Sequence, residues 1–213
     1  MRQPFDLALY LVTDRVQCAR LGIERVVGEA VASGVTLVQL RDDHAPASEL
    51  VQIARRLRAI LDPCRIPLIV NNHLDVAAAA GAGGLHVGQA DTAPAEARAR
   101  LGPEAILGLS ITDPAQLAGV DAGLVDYLGV GPVFATATKP DAAPAMGLEG
   151  IAAARAATSL PIVAIGGIDR SNAAGVLQAG ADGIAVVSAI CASSDPKASA
   201  ADLAEVVATA RRT

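Results

Sequence analysis

The feature that most limits the fold of this chain is a regular alternation of short apolar runs with alanine-rich helical stretches. Eight such runs follow one another, and each is continuously apolar rather than alternating with polar residues. Continuous apolar strands are typical of a parallel sheet that is buried on both faces. The predicted strands cover residues 7–13, 36–41, 66–71, 84–88, 105–110, 125–131, 161–167 and 183–188.

The intervals between these strands carry helical periodicity. The clearest predicted helix covers 47–61, with apolar residues three and four apart, and the last covers 199–211. Eight strand–helix units predict a closed (β/α)8 TIM barrel, in one domain over residues 1–213, although the count also allows an open doubly wound sheet. The similar segments 80–89 and 179–188, at units four and eight, favour two half-barrels.

Composition and charge restrict the possible partners. A content of 52% hydrophobic residues predicts a sizeable core, and a net charge of −5 argues against a nucleic-acid partner. No apolar run approaches the roughly 20 residues of a membrane helix, and the start does not read as a secretion signal. Cys18, Cys64 and Cys191 have no paired spacing and indicate small buried residues in a reducing cytoplasm. The sequence leaves open whether the chain forms a homo-oligomer.

Polar residues mark the carboxyl ends of the predicted strands, where (β/α)8 barrels place their chemistry. Gln39 and Arg41 are two residues apart, so both side chains point to the same side of their strand. We expect both to face the barrel interior, where they need a ligand or polar partners. An arginine suits phosphate because its planar fork donates two parallel hydrogen bonds. The alternative is a rim arginine paired with Asp42 or Asp43.

Two groups of residues predict two anion sites. The loop after strand seven contains "AIGGID", and the next loop contains "VVSAICAS", which is long enough for a short extra helix. Paired glycines there let backbone amides approach a monophosphate, although they also suit a plain tight turn. The second group consists of Arg41, Asn71, Ser110 and Lys139. The carboxylate of Asp91 follows strand four nearby. It predicts either an Mg²⁺ ion that accompanies a diphosphate or a cap for the helix near Pro94.

Several segments resemble thiamine-phosphate synthases in order and in register, from about residue 7 to 192. They include "YLVTD", "VQLRD", "AGAGGLHVGQAD", "YLGVGPVFATATKPDAAPAMGLEG" and "PIVAIGGI". The resemblance implies a (β/α)8 barrel that joins hydroxymethylpyrimidine diphosphate to thiazole phosphate. The implied products are thiamine phosphate and pyrophosphate, and the implied cofactor is Mg²⁺.

The resemblance also implies a role for individual residues. Gln39 would contact the pyrimidine, and Thr136 and Thr138 would line the thiazole side. Asn72 and Asp91 would be metal ligands. The diphosphate would be held by Arg41, Asn71, Ser110 and Lys139, of which Arg41, Ser110 and Lys139 are the catalytic members. The thiazole phosphate would be seated by Gly167, Val187 and Ser188.

The long loop between strand six and the next helix fits these roles. Threonines at alternate positions turn the same way, and Lys139 supplies a cation that could close over a leaving diphosphate. Proline and alanine restrict the loop, so ordering it costs less conformational entropy.

Two positions depart from the family pattern. Asn72 stands where the family usually has an aspartate, and Asp43 stands where many members have a lysine. These departures keep open a non-catalytic phosphate-ligand binding barrel, and a second alternative is a thiazole tautomerase-like isomerase that shares the barrel. The isomerase is disfavoured because it relies on a histidine where this chain has Thr112. His86 lies within a predicted strand and is interpreted as a satisfied core residue.

Overall fold

The computed structural model describes residues 4–139 and 142–212. Eight parallel strands pair in chain order, and β1 pairs with β8, which closes the barrel. The predicted (β/α)8 TIM barrel is therefore confirmed, and an open doubly wound sheet is excluded. The strands are β1 (Leu9–Val12), β2 (Leu37–Leu40), β3 (Leu68–Asn71), β4 (Gly84–Val87), β5 (Ile106–Ile111), β6 (Tyr127–Val130), β7 (Ile162–Ile165) and β8 (Gly183–Val186).

Helices surround this barrel, and the predicted helix 47–61 coincides with α3. The last predicted helix begins earlier than expected, at Pro196, because the Asp195 side chain accepts a hydrogen bond from the Ala198 N–H and caps its first turn. The helices are α1 (Arg15–Cys18), α2 (Ile23–Val31), α3 (Ala47–Leu61), α4 (Leu74–Ala80), α5 (Pro94–Leu101), α6 (Gly147–Ala157), α7 (Ala173–Gln178), α8 (Ser188–Cys191) and α9 (Pro196–Ala210).

One strand–helix unit departs from the regular pattern. Between β5 and β6 the connection is the 3₁₀ helix Pro114–Gly119, not an α-helix. Its start is fixed by a reciprocal cap in which Asp113 and Gln116 each bond the other's backbone. A further 3₁₀ helix, Asp62–Cys64, follows α3.

Most predicted strands are longer than the strands of the structure. The run 161–167 shows why, because β7 ends at Ile165 and the two glycines that follow turn the chain. Gly166 has a φ of 105° and Gly167 a φ of 63°, values outside the strand region. Apolar composition alone therefore cannot place the end of a strand whose loop is also apolar.

The strands are buried on both faces, as their continuous apolar sequence predicted. One face packs outward against the helices and forms the larger core. The other face fills the barrel interior with a second, smaller core. Its buried members are Leu7, Tyr10, Val12, Leu37, Ile69, Ile106, Tyr127, Val163 and Ala185.

The cysteines match the prediction in part. All three are free thiols, and Cys18 and Cys191 are buried. The expectation of burial is wrong for Cys64, which is exposed because it ends the surface 3₁₀ helix Asp62–Cys64. Within residues 4–139 and 142–212, no helix is both long enough and apolar enough to span a bilayer.

Candidate active site at the barrel mouth

One cavity at the carboxyl ends of the strands is lined by every residue predicted to bind substrate. The members come from six strand ends or the loops that follow them. They are Gln39, Arg41, Asn71, Ser110, Thr136, Thr138, Lys139, Gly167, Val187 and Ser188. The closed barrel brings them together because parallel strands carry all their carboxyl ends to one rim.

Arg41 directly follows β2 and lies between the cavity and an acidic neighbour. It lines the cavity, as expected, and its guanidinium also contacts the carboxylate of Asp43. The Arg41 side chain is 18% exposed, whereas that of Asp43 is 44% exposed. The predicted inward arginine and the alternative of a rim ion pair are therefore both present, and the charge facing the cavity is partly balanced.

Gln39 and Ser110 lie deeper in the wall of the cavity. Gln39 is 4% exposed, and its Nε2 donates a hydrogen bond of 2.7 Å to the hydroxyl of Tyr10. The Ser110 hydroxyl lies 2.9 Å from Nε2 of His86. Both predicted site residues are thus held by buried partners, as an inward polar side chain requires.

The loop after β6 presents its predicted residues to the cavity. Thr136 and Thr138 are half-buried, whereas Ala135 and Ala137 are exposed, so the two threonines do face the same way. The Thr138 N–H donates to the Thr136 hydroxyl at 3.2 Å. Lys139 is exposed at the rim of the same cavity. The next two residues of this loop, Pro140 and Asp141, lie outside the described residues.

The loops after β7 and β8 form the opposite wall. A Cβ on Gly167 would lie 2.6 Å from the Ala135 carbonyl oxygen, so the glycine is needed both for its positive φ and for close approach of the β6 loop. The predicted short extra helix is confirmed as α8, which begins at Ser188. Gly166 and Gly167 therefore present backbone without side chains to the cavity at this wall.

Among the described residues, neither of the two predicted metal ligands, Asn72 and Asp91, lines this cavity. Asn72 has a φ of 57° and lines a neighbouring groove with Thr92 and Glu96. The Asp91 carboxylate accepts a hydrogen bond of 2.7 Å from the Gly88 N–H. The alternative that Asp91 caps α5 is wrong, because that helix begins after Ala93 and has no side-chain cap.

Three residues that sequence reasoning did not assign to the site also line the barrel interior: Tyr10, His86 and Tyr127. His86 is a satisfied core residue, as interpreted, with its two ring nitrogens 3.0 Å from the Tyr127 hydroxyl and 2.9 Å from the Ser110 hydroxyl. It lines the cavity as well. Burial lowers the pKa of His86 to about 4, so the ring is neutral near pH 7.

Glycines on the adjacent strands were the available signal for these rings. Gly108 on β5 pairs with His86 on one side and with Tyr127 on the other. A Cβ at Gly108 would lie 2.4 Å from Nδ1 of His86, and one at Gly129 would lie 2.9 Å from its Cε1. A glycine in a strand often marks such close approach.

Fold and site together define a class: a (β/α)8-barrel enzyme whose strand-end cavity combines a cationic, amide-rich wall with a glycine-rich backbone wall. Residues 9–190 match the family model described as thiamine monophosphate synthase. The chain belongs to this family of thiamine-phosphate synthases and is a transferase of small-molecule substrates.

Individual relatives agree over the full length. The chain is 53% identical to the thiamine-phosphate synthase of Azorhizobium caulinodans over 212 residues, with 100% of both chains covered. It is 54% identical to that of Xanthobacter autotrophicus, with 99% of this chain and 100% of the relative covered. The solved thiamine phosphate pyrophosphorylase of Pyrococcus furiosus superposes with a TM-score of 0.87 at 34% identity, covering 96% of each chain. The isomerase and binding-only alternatives find no support among these relatives.

Proposed function

We propose that the mouth cavity holds hydroxymethylpyrimidine diphosphate and thiazole phosphate at the same time, and joins them into thiamine phosphate with release of pyrophosphate. The observation that carries this proposal is that one cavity is lined by both predicted anion sites. Two phosphorylated substrates that react with each other need two anion sites within one water-excluding space.

The diphosphate belongs at the side-chain wall. Arg41 and Lys139 supply positive charge there, and Asn71 and Ser110 supply neutral hydrogen-bond donors. The pyrimidine ring belongs next to Gln39, deeper in the barrel, because a buried amide offers both a donor and an acceptor to a heterocycle.

The thiazole phosphate belongs at the backbone wall. Gly167, Val187 and Ser188 line the cavity there, and their backbone N–H groups would donate to phosphate oxygens. Thr136 and Thr138 line the cavity on the loop that packs against Gly167, so in this proposal their hydroxyls would lie between the two substrates. The two substrates would then meet in the middle of the cavity.

The proposed reaction needs no nucleophilic side chain. The C–O bond of the pyrimidine diphosphate breaks, and its electron pair leaves with the pyrophosphate oxygen. The ring nitrogen of the thiazole then attacks the resulting pyrimidine-stabilised carbon cation. The protein's contribution is to align the two rings and to stabilise negative charge on the departing oxygens with Arg41, Ser110 and Lys139.

Magnesium is part of the proposal, with Asp91 and Asn72 as the residues that would hold it. Within residues 4–139 and 142–212, no three histidine, cysteine, aspartate or glutamate side chains converge on a common point. One carboxylate from Asp91 and one amide oxygen from Asn72 fit Mg²⁺, which is often bound by only one or two carboxylates together with substrate phosphates and water. The ion would neutralise charge on the diphosphate.

The test is to incubate the purified protein with both phosphorylated substrates, with and without Mg²⁺, and to measure thiamine phosphate and pyrophosphate. We expect both products in equal amounts, only when both substrates are present, and faster with Mg²⁺. Release of pyrophosphate without thiamine phosphate would indicate a hydrolase and contradict the proposal.

A further inference from the structure

A continuous chain of hydrogen bonds crosses the barrel interior from Gln39 to Ser110. Gln39 Nε2 donates to the Tyr10 hydroxyl at 2.7 Å, and that hydroxyl lies 2.9 Å from the hydroxyl of Tyr127. The Tyr127 hydroxyl lies 3.0 Å from Nδ1 of His86, and Nε2 of His86 lies 2.9 Å from the Ser110 hydroxyl. Both ends of this chain, Gln39 and Ser110, line the mouth cavity.

The three middle residues are almost fully enclosed and neutral. Tyr10 is 1% exposed, Tyr127 is 0% exposed and His86 is 8% exposed. Burial raises the pKa of both tyrosines, so each keeps its hydroxyl proton. Burial lowers the pKa of His86 to about 4, so at neutral pH its ring has one proton to place.

The donor at one end decides every proton along the chain. The amide nitrogen of Gln39 can only donate, so the Tyr10 oxygen accepts and its proton is directed to Tyr127. Tyr127 then donates to Nδ1 of His86, which leaves the single ring proton on Nε2. That proton is donated to the Ser110 oxygen, and the proton of Ser110 itself is left to point into the cavity.

We propose that His86, together with Tyr10 and Tyr127, is a positioning group that makes the Ser110 hydroxyl a donor and the Gln39 carbonyl an acceptor toward the substrate. This inference rests on the proposed placement of a diphosphate at Ser110. A diphosphate oxygen can only accept, so it binds well only in this proton order. The same order leaves Oε1 of Gln39 to accept from an N–H group, such as a ring amine.

The chain of hydrogen bonds therefore couples recognition of the pyrimidine ring at Gln39 to recognition of the diphosphate at Ser110. Reversing the order requires the Gln39 amide to turn over and present its NH₂ group, which also turns Ser110 into a donor toward His86. A ligand with an acceptor at the ring and an anion at Ser110 would leave one contact unpaired, and an unpaired buried polar group is costly. Specificity for an amine-bearing heterocycle follows from this coupling.

The direct test is the position of the His86 proton, read by nitrogen-15 NMR on protein with labelled histidine. The chain has only three histidines, and the His86→Gln variant identifies the signal. At neutral pH we expect wild-type His86 to carry its proton on Nε2, both without ligand and with inorganic pyrophosphate added.

The Tyr127→Phe variant removes the hydroxyl that donates to Nδ1 and keeps the ring. We expect its His86 to show a mixture of the two neutral forms, and its dissociation constant for pyrophosphate to rise about three- to tenfold, the scale of one ordinary net hydrogen bond. Tyr10→Phe removes the hydroxyl through which Gln39 sets the direction of the Tyr127 proton, so we expect a mixture of the two neutral forms of His86 in this variant as well. Cys64→Ser is the control, because Cys64 is exposed and lies outside the barrel interior. It should keep the His86 proton on Nε2 and bind pyrophosphate within about twofold of wild type.

A wild-type His86 with its proton on Nδ1, or doubly protonated at neutral pH, would overturn the inference. An unchanged nitrogen-15 signal of His86 in Tyr127→Phe would also overturn it, and this measurement does not depend on turnover. A proton on Nε2 that moves in Tyr127→Phe supports the proton order even if pyrophosphate does not bind, and that combination would count against the proposed diphosphate site instead. Thermal unfolding of each variant verifies that the barrel is intact.

Discussion

The guanidinium of Arg41 is divided between the cavity that it lines and the carboxylate of Asp43. A bound diphosphate would have to compete with that carboxylate for the guanidinium nitrogen that contacts it. The exposed position of Asp43 limits the strength of this competition, because solvent screens exposed ion pairs. Asp43, at the position where the family resemblance implies a lysine, would therefore weaken the proposed anion site at Arg41.

The Asp43→Asn change tests this competition. It should lower the KM for the pyrimidine diphosphate by about two- to fivefold and leave kcat nearly unchanged, since an exposed ion pair is worth about 1 kcal/mol or less. Steady-state kinetics give both constants. Asp62→Asn is the matched control, because it removes an equal charge from the Arg58–Asp62 pair at the end of α3. Equal KM values in the two variants would show that Asp43 does not restrain Arg41.

Lys139 lies on an exposed loop, from which it would stabilise the leaving diphosphate of the proposed reaction. The Lys139→Ala change should reduce kcat by roughly 10²- to 10³-fold, which corresponds to about 2.7–4 kcal/mol for one lost donor to developing charge. Its melting temperature should stay near that of wild type, because an exposed side chain contributes little core packing. Lys197→Ala on α9 is the control, since Lys197 is the other lysine of the chain and is also exposed. A wild-type rate in Lys139→Ala would place this lysine outside the site.

Asn72 tests the proposed metal site. Its φ of 57° is one that asparagine and aspartate tolerate, so Asn72→Asp should fold normally. If residue 72 serves the metal, the variant should reach half-maximal rate at a lower Mg²⁺ concentration, because hard divalent cations favour a carboxylate oxygen over an amide. The measurement is rate against Mg²⁺ concentration. The double variant with Asp43→Lys, which restores the common family pattern, should show the same decrease. An unchanged Mg²⁺ requirement in both would remove residue 72 from the metal site.

At the scale of elements, β4, β5 and β6 act as a unit. Gly108 on β5 makes room for the ring of His86 from β4 and the ring of Tyr127 from β6. These two rings are 5.4 Å apart between centroids and fill the barrel interior below the cavity. A side chain at position 108 would therefore push apart the rings of His86 and Tyr127 and disturb the lining of the mouth cavity above them.

The Gly108→Ala change measures this packing. The added Cβ would lie 2.2 Å from Cζ of Tyr127, so the rings must shift, and we expect a loss of about 1–3 kcal/mol in unfolding free energy. Gly28→Ala on α2 is the matched control, because a Cβ there meets only Ile60 at 3.9 Å. It should be neutral or stabilising by up to about 1 kcal/mol, as alanine is the better helix former. Denaturant unfolding of both variants provides the comparison, and equal stabilities would contradict the packing described here.

At the scale of the whole molecule, the enclosed His86 links barrel stability to pH. Its pKa falls from 6.5 to about 4 on folding because burial disfavours the charged ring. Above pH 6.5 the ring is neutral in both states, whereas at lower pH the unfolded chain binds the proton first. The contribution of His86 to the unfolding free energy is therefore present above the pKa of the unfolded state and is lost as pH falls toward the pKa of the folded state.

His86 should lower the unfolding free energy by about 2 kcal/mol between pH 7 and pH 5. The measurement is the unfolding free energy of wild type and His86→Gln across that range. The variant should be less sensitive to pH by this amount, whatever its absolute stability. Parallel pH profiles would show that His86 is not held neutral by the fold.

Much of the fold and of the cavity lining was predictable because it depends on local periodicity. Helix 47–61 follows from the spacing of its apolar residues, and strand ends converge in any parallel barrel. This rule alone placed residues as far apart in sequence as Gln39 and Ser188 around one cavity. The sequence by itself thus determined the barrel, the cavity lining and, with the family resemblance, the type of reaction.

Only the tertiary structure decided which buried polar groups meet and which way a loop residue turns. Tyr10 and Tyr127 are 117 residues apart and are joined through their hydroxyls, a contact that exists only because the barrel closes. The positive φ of Asn72 and the exposure of Cys64 likewise depend on how a turn leaves its element. The physical reason is that side-chain period is a local property of the backbone, whereas contacts across the barrel depend on strand register and closure, which no single segment encodes.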